Sequence, residues 1–284
     1  MAAIRDGVTE RVTSADGVVL SVVEWGNPAG PEIVLIHGAG QSYLCFVKQV
    51  ESELAREFRL VAFDLRGHGG SDKPMDPSYY QNDRVWADDV SAVLEAKRLR
   101  RPVLVGWSLG ARVVRQYLAY YGDAQLSGIA LVAARPIEDK RTAGSKPYFL
   151  APERTQDLMA RIDAAVDFLH ACFEKQPDAR EFEVALAYNM LAPHEIRKAI
   201  MEWAVEPAAA VKVLGSVKVP TLIIHGAADH VILPGAAQMT ADAMPGARLS
   251  IYPGCGHSPF FEDSARFNSD LSAFATAAWK QAGA

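Results

Sequence analysis

A serine stands in the middle of Gly106-Trp107-Ser108-Leu109-Gly110, after the apolar run Pro102-Val103-Leu104-Val105 and before the helix-forming run Ala111-Arg112-Val113-Val114-Arg115-Gln116-Tyr117-Leu118. Strand, sharp turn and helix, with a hydroxyl at the tip, make up the G-x-S-x-G arrangement that presents a serine for nucleophilic attack. The glycines let strand and helix approach where a β-carbon would be penalised. A serine hydroxyl is a poor nucleophile at neutral pH, so it needs a base within hydrogen-bond reach and an acid that orients the base. Two later loops offer them. His225-Gly226-Ala227-Ala228-Asp229-His230 follows the predicted strand 220–224, and Pro253-Gly254-Cys255-Gly256-His257-Ser258 follows the predicted strand 247–252. Both lie at the C-terminal ends of strands, the edge where ligands bind in open α/β sheets. Asp229 is assigned as the acid and His257 as the base. Charge on a tetrahedral oxyanion needs two further donors. The backbone N–H of Leu109 is one, and the N–H of Ala39, in the small-residue loop His37-Gly38-Ala39-Gly40 after the predicted strand 33–36, is the other.

These segments, together with Asp64-Leu65-Arg66-Gly67-His68-Gly69-Gly70-Ser71, run in an order that resembles the α/β-hydrolase superfamily and cover the chain from about Val19 to Lys280. The resemblance implies an α/β fold with a mostly parallel eight-stranded sheet flanked by helices, and a helical cap over the active site. It also implies the chain order serine, acid, histidine. Some relatives place the acid after the sixth strand, which makes Glu138 and Asp139 the alternatives to Asp229. Arg66 and His68 lie in a stretch that is structural in relatives. One departure is Ala111, where many relatives have glycine directly after the elbow. Relatives that displace halide or open epoxides carry an aspartate nucleophile, and Ser108 in that place disfavours such chemistry.

The rest of the chain must position these groups. It has 284 residues, half of them hydrophobic, and a formal net charge of −5 without long runs of one sign. That is enough for one large domain or a core with an insertion, and it argues against a nucleic-acid partner. No secretory signal and no membrane span are visible, and three scattered cysteines, Cys45, Cys172 and Cys255, read as reduced thiols. A cytoplasmic protein, monomeric or homodimeric, acting on a small molecule is therefore expected. Strands are predicted at 10–13, 18–24, 33–36, 60–64, 103–105 and 128–133, the first two antiparallel, with helices over 43–57, 83–97 and, at the end, 261–282. Several strands are continuously apolar, as when both faces of a sheet are covered.

Between Arg135 and Val213 the strand signal disappears. Helices are predicted there near 152–173, 179–191, 194–205 and 208–214. The expected organisation is a core of 1–135 and 214–284 with a cap of 136–213. Large apolar residues of that cap are Phe149, Leu150, Met159, Phe168, Phe173, Tyr188, Met190, Met201 and Trp203. Outside it, Tyr43, Phe46 and Trp107 flank the motifs and are candidates for an apolar acyl or aromatic pocket.

Other chemistries fit less well. His194-Glu195-Ile196-Arg197-Lys198 begins like a zinc-protease helix but has lysine at its fifth position. His225, Asp229 and His230 make a poor metal site because adjacent side chains would have to converge. No metal or cofactor is expected. The reading is a serine hydrolase acting on a small to medium carboxylic ester or lactone through an acyl-enzyme. Its rate should rise with pH as the histidine loses its proton. Carbon–carbon bond hydrolysis and perhydrolysis, as in non-haem haloperoxidases, use the same machinery. A ligand sensor on a hydrolase scaffold is the alternative of another class.

Overall fold

The computed structural model describes residues 3–144, 157–204 and 206–283. Eight strands form one sheet: β1 Val8–Thr13, β2 Val19–Gly26, β3 Glu32–Ile36, β4 Arg59–Phe63, β5 Val103–Trp107, β6 Gly128–Val132, β7 Thr221–Gly226 and β8 Arg248–Tyr252. Their order is β1-β2-β4-β3-β5-β6-β7-β8. β2 pairs antiparallel with both β1 and β4, and every later pairing is parallel. The α/β-hydrolase architecture expected from the motifs is thus observed.

The continuously apolar strands are buried on both faces. In β3, Val34 and Ile36 belong to one hydrophobic cluster while Ile33 and Leu35 belong to the other, on opposite sides of the sheet. β4 divides in the same way, with Val61 and Phe63 on one side and Leu60 and Ala62 on the other. That is the two-residue alternation of a strand with helices over both faces. Helices α1 (Asp83–Ala96) and α2 (Leu109–Tyr121) cover the first face. The second is covered by the C-terminal helix, Ser264–Gln281.

Between β6 and β7 lies a helical insert: α3 Leu158–Ala171, α4 Ala179–Met190, α5 His194–Glu202 and α6 Pro207–Gly215. Asp178 opens α4 with a capping box, its side chain accepting from the Glu181 N–H while Glu181 returns to the Asp178 N–H. Phe168, Tyr188 and Trp203 are buried, and Met159 and Met201 are exposed. Trp203 stacks on Trp86 with 5.1 Å between ring centroids, and the Arg112 guanidinium lies 4.1 Å from the Trp203 ring centre, so the end of the insert is fastened to α1 and α2. Phe149, Leu150 and the first residues of the helix expected over 152–173 lie outside the described residues, as does Val205. After β7 come α7 (Gly235–Ala243) and, after β8, α8 (Ser264–Gln281). Among the described residues no helix is long and apolar enough to cross a membrane.

Two expected helices are broken. The stretch 43–57 is a 3-10 turn, Tyr43–Phe46, followed by two short helical turns, Val47–Val50 and Leu54–Glu57. Ser52 interrupts it: its hydroxyl donates to the Gln49 carbonyl at 2.7 Å and accepts from the Leu54 N–H at 3.2 Å, replacing helical bonds with local ones. The last helix begins at Ser264 rather than 261, because Asp263 leaves helical geometry (φ −131°, ψ 58°) and accepts from the Arg266 N–H.

Candidate active site

β5 ends one residue before Ser108, whose backbone adopts φ 54° and ψ −114°. For a residue with a β-carbon this conformation costs about 1–3 kcal/mol and persists only where the surroundings enforce it. Here the Ser108 N–H donates to the Val132 carbonyl at 2.9 Å and the Ser108 carbonyl accepts from the Ala111 N–H at 3.1 Å. The flanking glycines are steric necessities. A β-carbon at 106 would lie 2.6 Å from the Gly110 carbonyl carbon, and one at 110 would lie 2.2 Å from the Ile36 oxygen. Ala111, the departure from the family pattern, is accommodated fully buried.

Asp229 and His257 meet. His257 Nδ1 lies 2.8 Å from Asp229 Oδ2. The other carboxylate oxygen accepts from the N–H groups of Val231 at 2.8 Å and Ile232 at 2.9 Å. A second imidazole shares the carboxylate, since His225 Nε2 is 3.0 Å from Asp229 Oδ2 and 2.9 Å from the Ile232 carbonyl. Burial works to raise the Asp229 pKa, but the two imidazoles and the hydrogen bonds outweigh it and hold the carboxyl well below the usual range. It is ionised at any working pH. The loops that carry the pair are laced together: the Ala228 N–H donates to the Cys255 carbonyl at 2.9 Å, and Trp107 Nε1 donates to the His257 carbonyl at 2.8 Å. Glu262 accepts from the N–H groups of Gly256 and Ser258 at 2.9 and 3.2 Å. His257 Nε2 is buried and has no hydrogen-bond partner among the described residues.

The loop after β3 approaches Ser108 closely, for a β-carbon at Gly38 would stand 3.2 Å from Ser108 Cβ. Two buried imidazoles fix this loop. His68 Nε2 accepts from the Gly40 N–H at 3.0 Å, and its Nδ1 lies 3.0 Å from the Arg66 carbonyl. His37 Nε2 accepts from the Leu65 N–H at 3.0 Å, and its Nδ1 lies 2.8 Å from the Gly38 carbonyl. Burial lowers the pKa of both, in His68 well below the ordinary value, so both are neutral. Neither the Ala39 nor the Leu109 N–H has a hydrogen-bond partner among the described residues. Leu109 opens α2, where N–H groups lack an acceptor within the helix.

The remaining candidates are placed as follows. Phe46 and Trp107 are buried in the core against Phe260, at centroid distances of 5.5 and 4.8 Å. Tyr43 is half-buried against Trp25. Glu138 is paired with Arg112 at 2.8 Å and Asp139 with Arg141 at 2.6 Å, and no hydrogen bond links either to His257 among the described residues. Cys255 is buried, and burial pushes its thiol pKa up, the opposite of an activated thiolate. Sequence reading missed the supporting residues His225, Glu262 and the Trp107 indole. Only His225 carries a signal, its spacing of four residues from Asp229 in a strand-end loop.

A family model described as alpha/beta hydrolase fold matches residues 31–264. The chain is 28% identical over 271 residues to an AB hydrolase superfamily protein of Bacillus subtilis, covering 93% of this chain and 97% of that one. A Burkholderia cenocepacia structure described as a candidate aryl esterase superposes with TM-score 0.91 and 38% identity, covering 96% of this chain and all of that one. The esterase RhEst1 from Rhodococcus sp. ECU1013 superposes with TM-score 0.87 and 32% identity, covering 94% and 98%.

Proposed function

We propose, from the premise that this chain belongs to the α/β-hydrolase family, that it is a serine esterase acting on a small to medium carboxylic ester or lactone. Ser108 is the nucleophile, His257 the base, Asp229 the orienting acid, and the N–H groups of Ala39 and Leu109 hold the oxyanion. The insert 136–213 acts as a cap over the core formed by 1–135 and 214–284. The observation that carries this reading is the free Nε2 of a buried His257 whose other nitrogen is fixed on Asp229 at 2.8 Å. With Nδ1 donating to a carboxylate, Nε2 is left as the basic lone pair.

In the cycle, His257 Nε2 takes the Ser108 proton as Oγ forms a bond to the ester carbonyl carbon. The carbonyl electron pair moves to an oxygen held by the two N–H groups. Collapse expels the alcohol, which leaves with the proton from His257. Water, deprotonated by the same nitrogen, then attacks the acyl-serine and releases the acid. Ester substrates are favoured over carbon–carbon cleavage and perhydrolysis because two structural neighbours above 30% identity are described as esterases. Ser108→Ala should lower kcat on a chromogenic ester by about 10⁴-fold or more with the fold intact by circular dichroism. Near-normal turnover by that variant overturns the assignment.

A further inference from the structure

Above the loop after β3, the helical insert presents a cation that no carboxylate pairs with among the described residues. Arg197, on α5, reaches over Gly40: a β-carbon at Gly40 would lie 3.3 Å from Arg197 Cζ and 3.0 Å from Asn189 Nδ2. The guanidinium is fixed along one edge. Nε donates to the Ala192 carbonyl at 3.2 Å, and Nη2 donates to the Asn189 carbonyl and, at 2.6 Å, to Asn189 Oδ1. The Asn189 carbonyl lies in the last turn of α4 and Ala192 just follows its C-cap, so the same contacts cap that helix and hold the guanidinium in place. Among the described residues the hydrogen bonds of Arg197 are made by Nε and Nη2, none by Nη1, and no carboxylate pairs with it. Burial lowers its pKa to about 10, which leaves it charged at neutral pH. Asn189 is fully buried, yet its Nδ2 has no partner among the described residues.

A half-buried cation with no carboxylate partner among the described residues stands beside a buried amide donor that has no partner among them, and the buried donor is costly unless something else answers it. A β-carbon at Gly38 would meet Ser108 and one at Gly40 would meet this pair, so a single residue of the loop, Ala39, separates the position beside the nucleophile from the position beside the cation. We propose that Arg197 Nη1 and Asn189 Nδ2 form a carboxylate subsite, so that the preferred substrate is an ester carrying a second, free carboxylate group. The inference rests on the esterase reading. Consecutive residues are about 3.8 Å apart, so a spacer of roughly three to five carbons joins the reacting carbonyl to the carboxylate.

The test compares monoethyl adipate with its uncharged isostere of equal length, ethyl 6-methylheptanoate, on the intact protein. The expected kcat/KM ratio is at least about tenfold in favour of the half-ester, most of it in KM. In Arg197→Met the ratio should fall to about one, whereas Lys198→Met, an exposed neighbour, should retain it. Adipate titrated calorimetrically into the wild-type protein and into Arg197→Met reads the subsite without turnover: it should bind the first and bind the second at least tenfold more weakly. Hydrolysis of both esters abolished by Ser108→Ala, but at equal rates in the wild-type protein, overturns the subsite and leaves the esterase reading standing. Adipate binding that depends on Arg197, with neither ester cleaved, sustains the subsite and overturns the esterase reading. Adipate that fails to bind, or binds both proteins equally, contradicts the subsite outright.

Discussion

Two pairs of buried histidines flank Ser108, and they are wired differently. In the loops after β3 and β4, all four ring nitrogens of His37 and His68 are occupied, each ring joining one backbone N–H to one carbonyl. At the end of β7 and in the loop after β8, His225 and His257 share the Asp229 carboxylate, and among the described residues each keeps one buried nitrogen without a partner, Nδ1 and Nε2 respectively. A saturated imidazole is scaffold, since it ties backbone to backbone and is neutral in the folded state. An imidazole with one nitrogen anchored and the other open can move a proton. Leaving that nitrogen open costs stability, because a buried unpaired polar group loses its hydration.

His257→Gln should break the comparison most sharply, lowering kcat by about 10⁴-fold with little change in unfolding midpoint, as expected when a group acts mainly in the transition state. Asp229→Asn should follow at about 10³–10⁴-fold, since the amide favours the wrong tautomer. His68→Leu should do the reverse, costing about 1–3 kcal/mol of stability for the Gly40 N–H and Arg66 carbonyl it strands. Its kcat per folded molecule should fall by less than tenfold. Should His68→Leu abolish activity while sparing stability, the division between the two pairs fails.

The smallest effect separates the pairs by pH. His37 and His68 titrate below the 6.5 of a free histidine when folded. Below that pH the unfolded chain therefore binds more protons, and stability falls as acid is added, by up to about 1.4 kcal/mol per pH unit for each group. Asp229 contributes with its own window. Its folded pKa is depressed, so its contribution is present above the ordinary 3.8 and is lost as pH falls below it. Urea midpoints from pH 7 to 3 should show His68→Leu flattening the first decline and Asp229→Asn flattening only the second.

The legible parts of the molecule were those written as local punctuation. Gly106 and Gly110 announce the elbow because no other residue fits there, and the continuous apolar strands announce a sheet covered on both faces. The breaks at Ser52 and Asp263 were not legible, because each depends on one side chain outcompeting a helical bond. The meeting of Asp229 with His257 could be inferred from their strand-end positions and from the order serine, acid, histidine along the chain, not from any local signal. The roles of Glu262, Trp107 and Asn189 have no sequence signature, since each acts on backbone or side chains brought near only by folding. Tyr43 and Phe46 illustrate the converse: an aromatic residue beside a motif reads the same in sequence whether it lines a pocket or, like Phe46, packs in the core.

The central claim is that Ser108 is the residue activated by the open nitrogen of His257. Reaction with a fluorophosphonate, followed by mass mapping of the adduct, tests it directly. One phosphonate per chain on Ser108, with its formation slowed at least a hundredfold in His257→Gln, is the predicted result. An adduct on another residue, or labelling of Ser108 at an undiminished rate without the histidine, would contradict it.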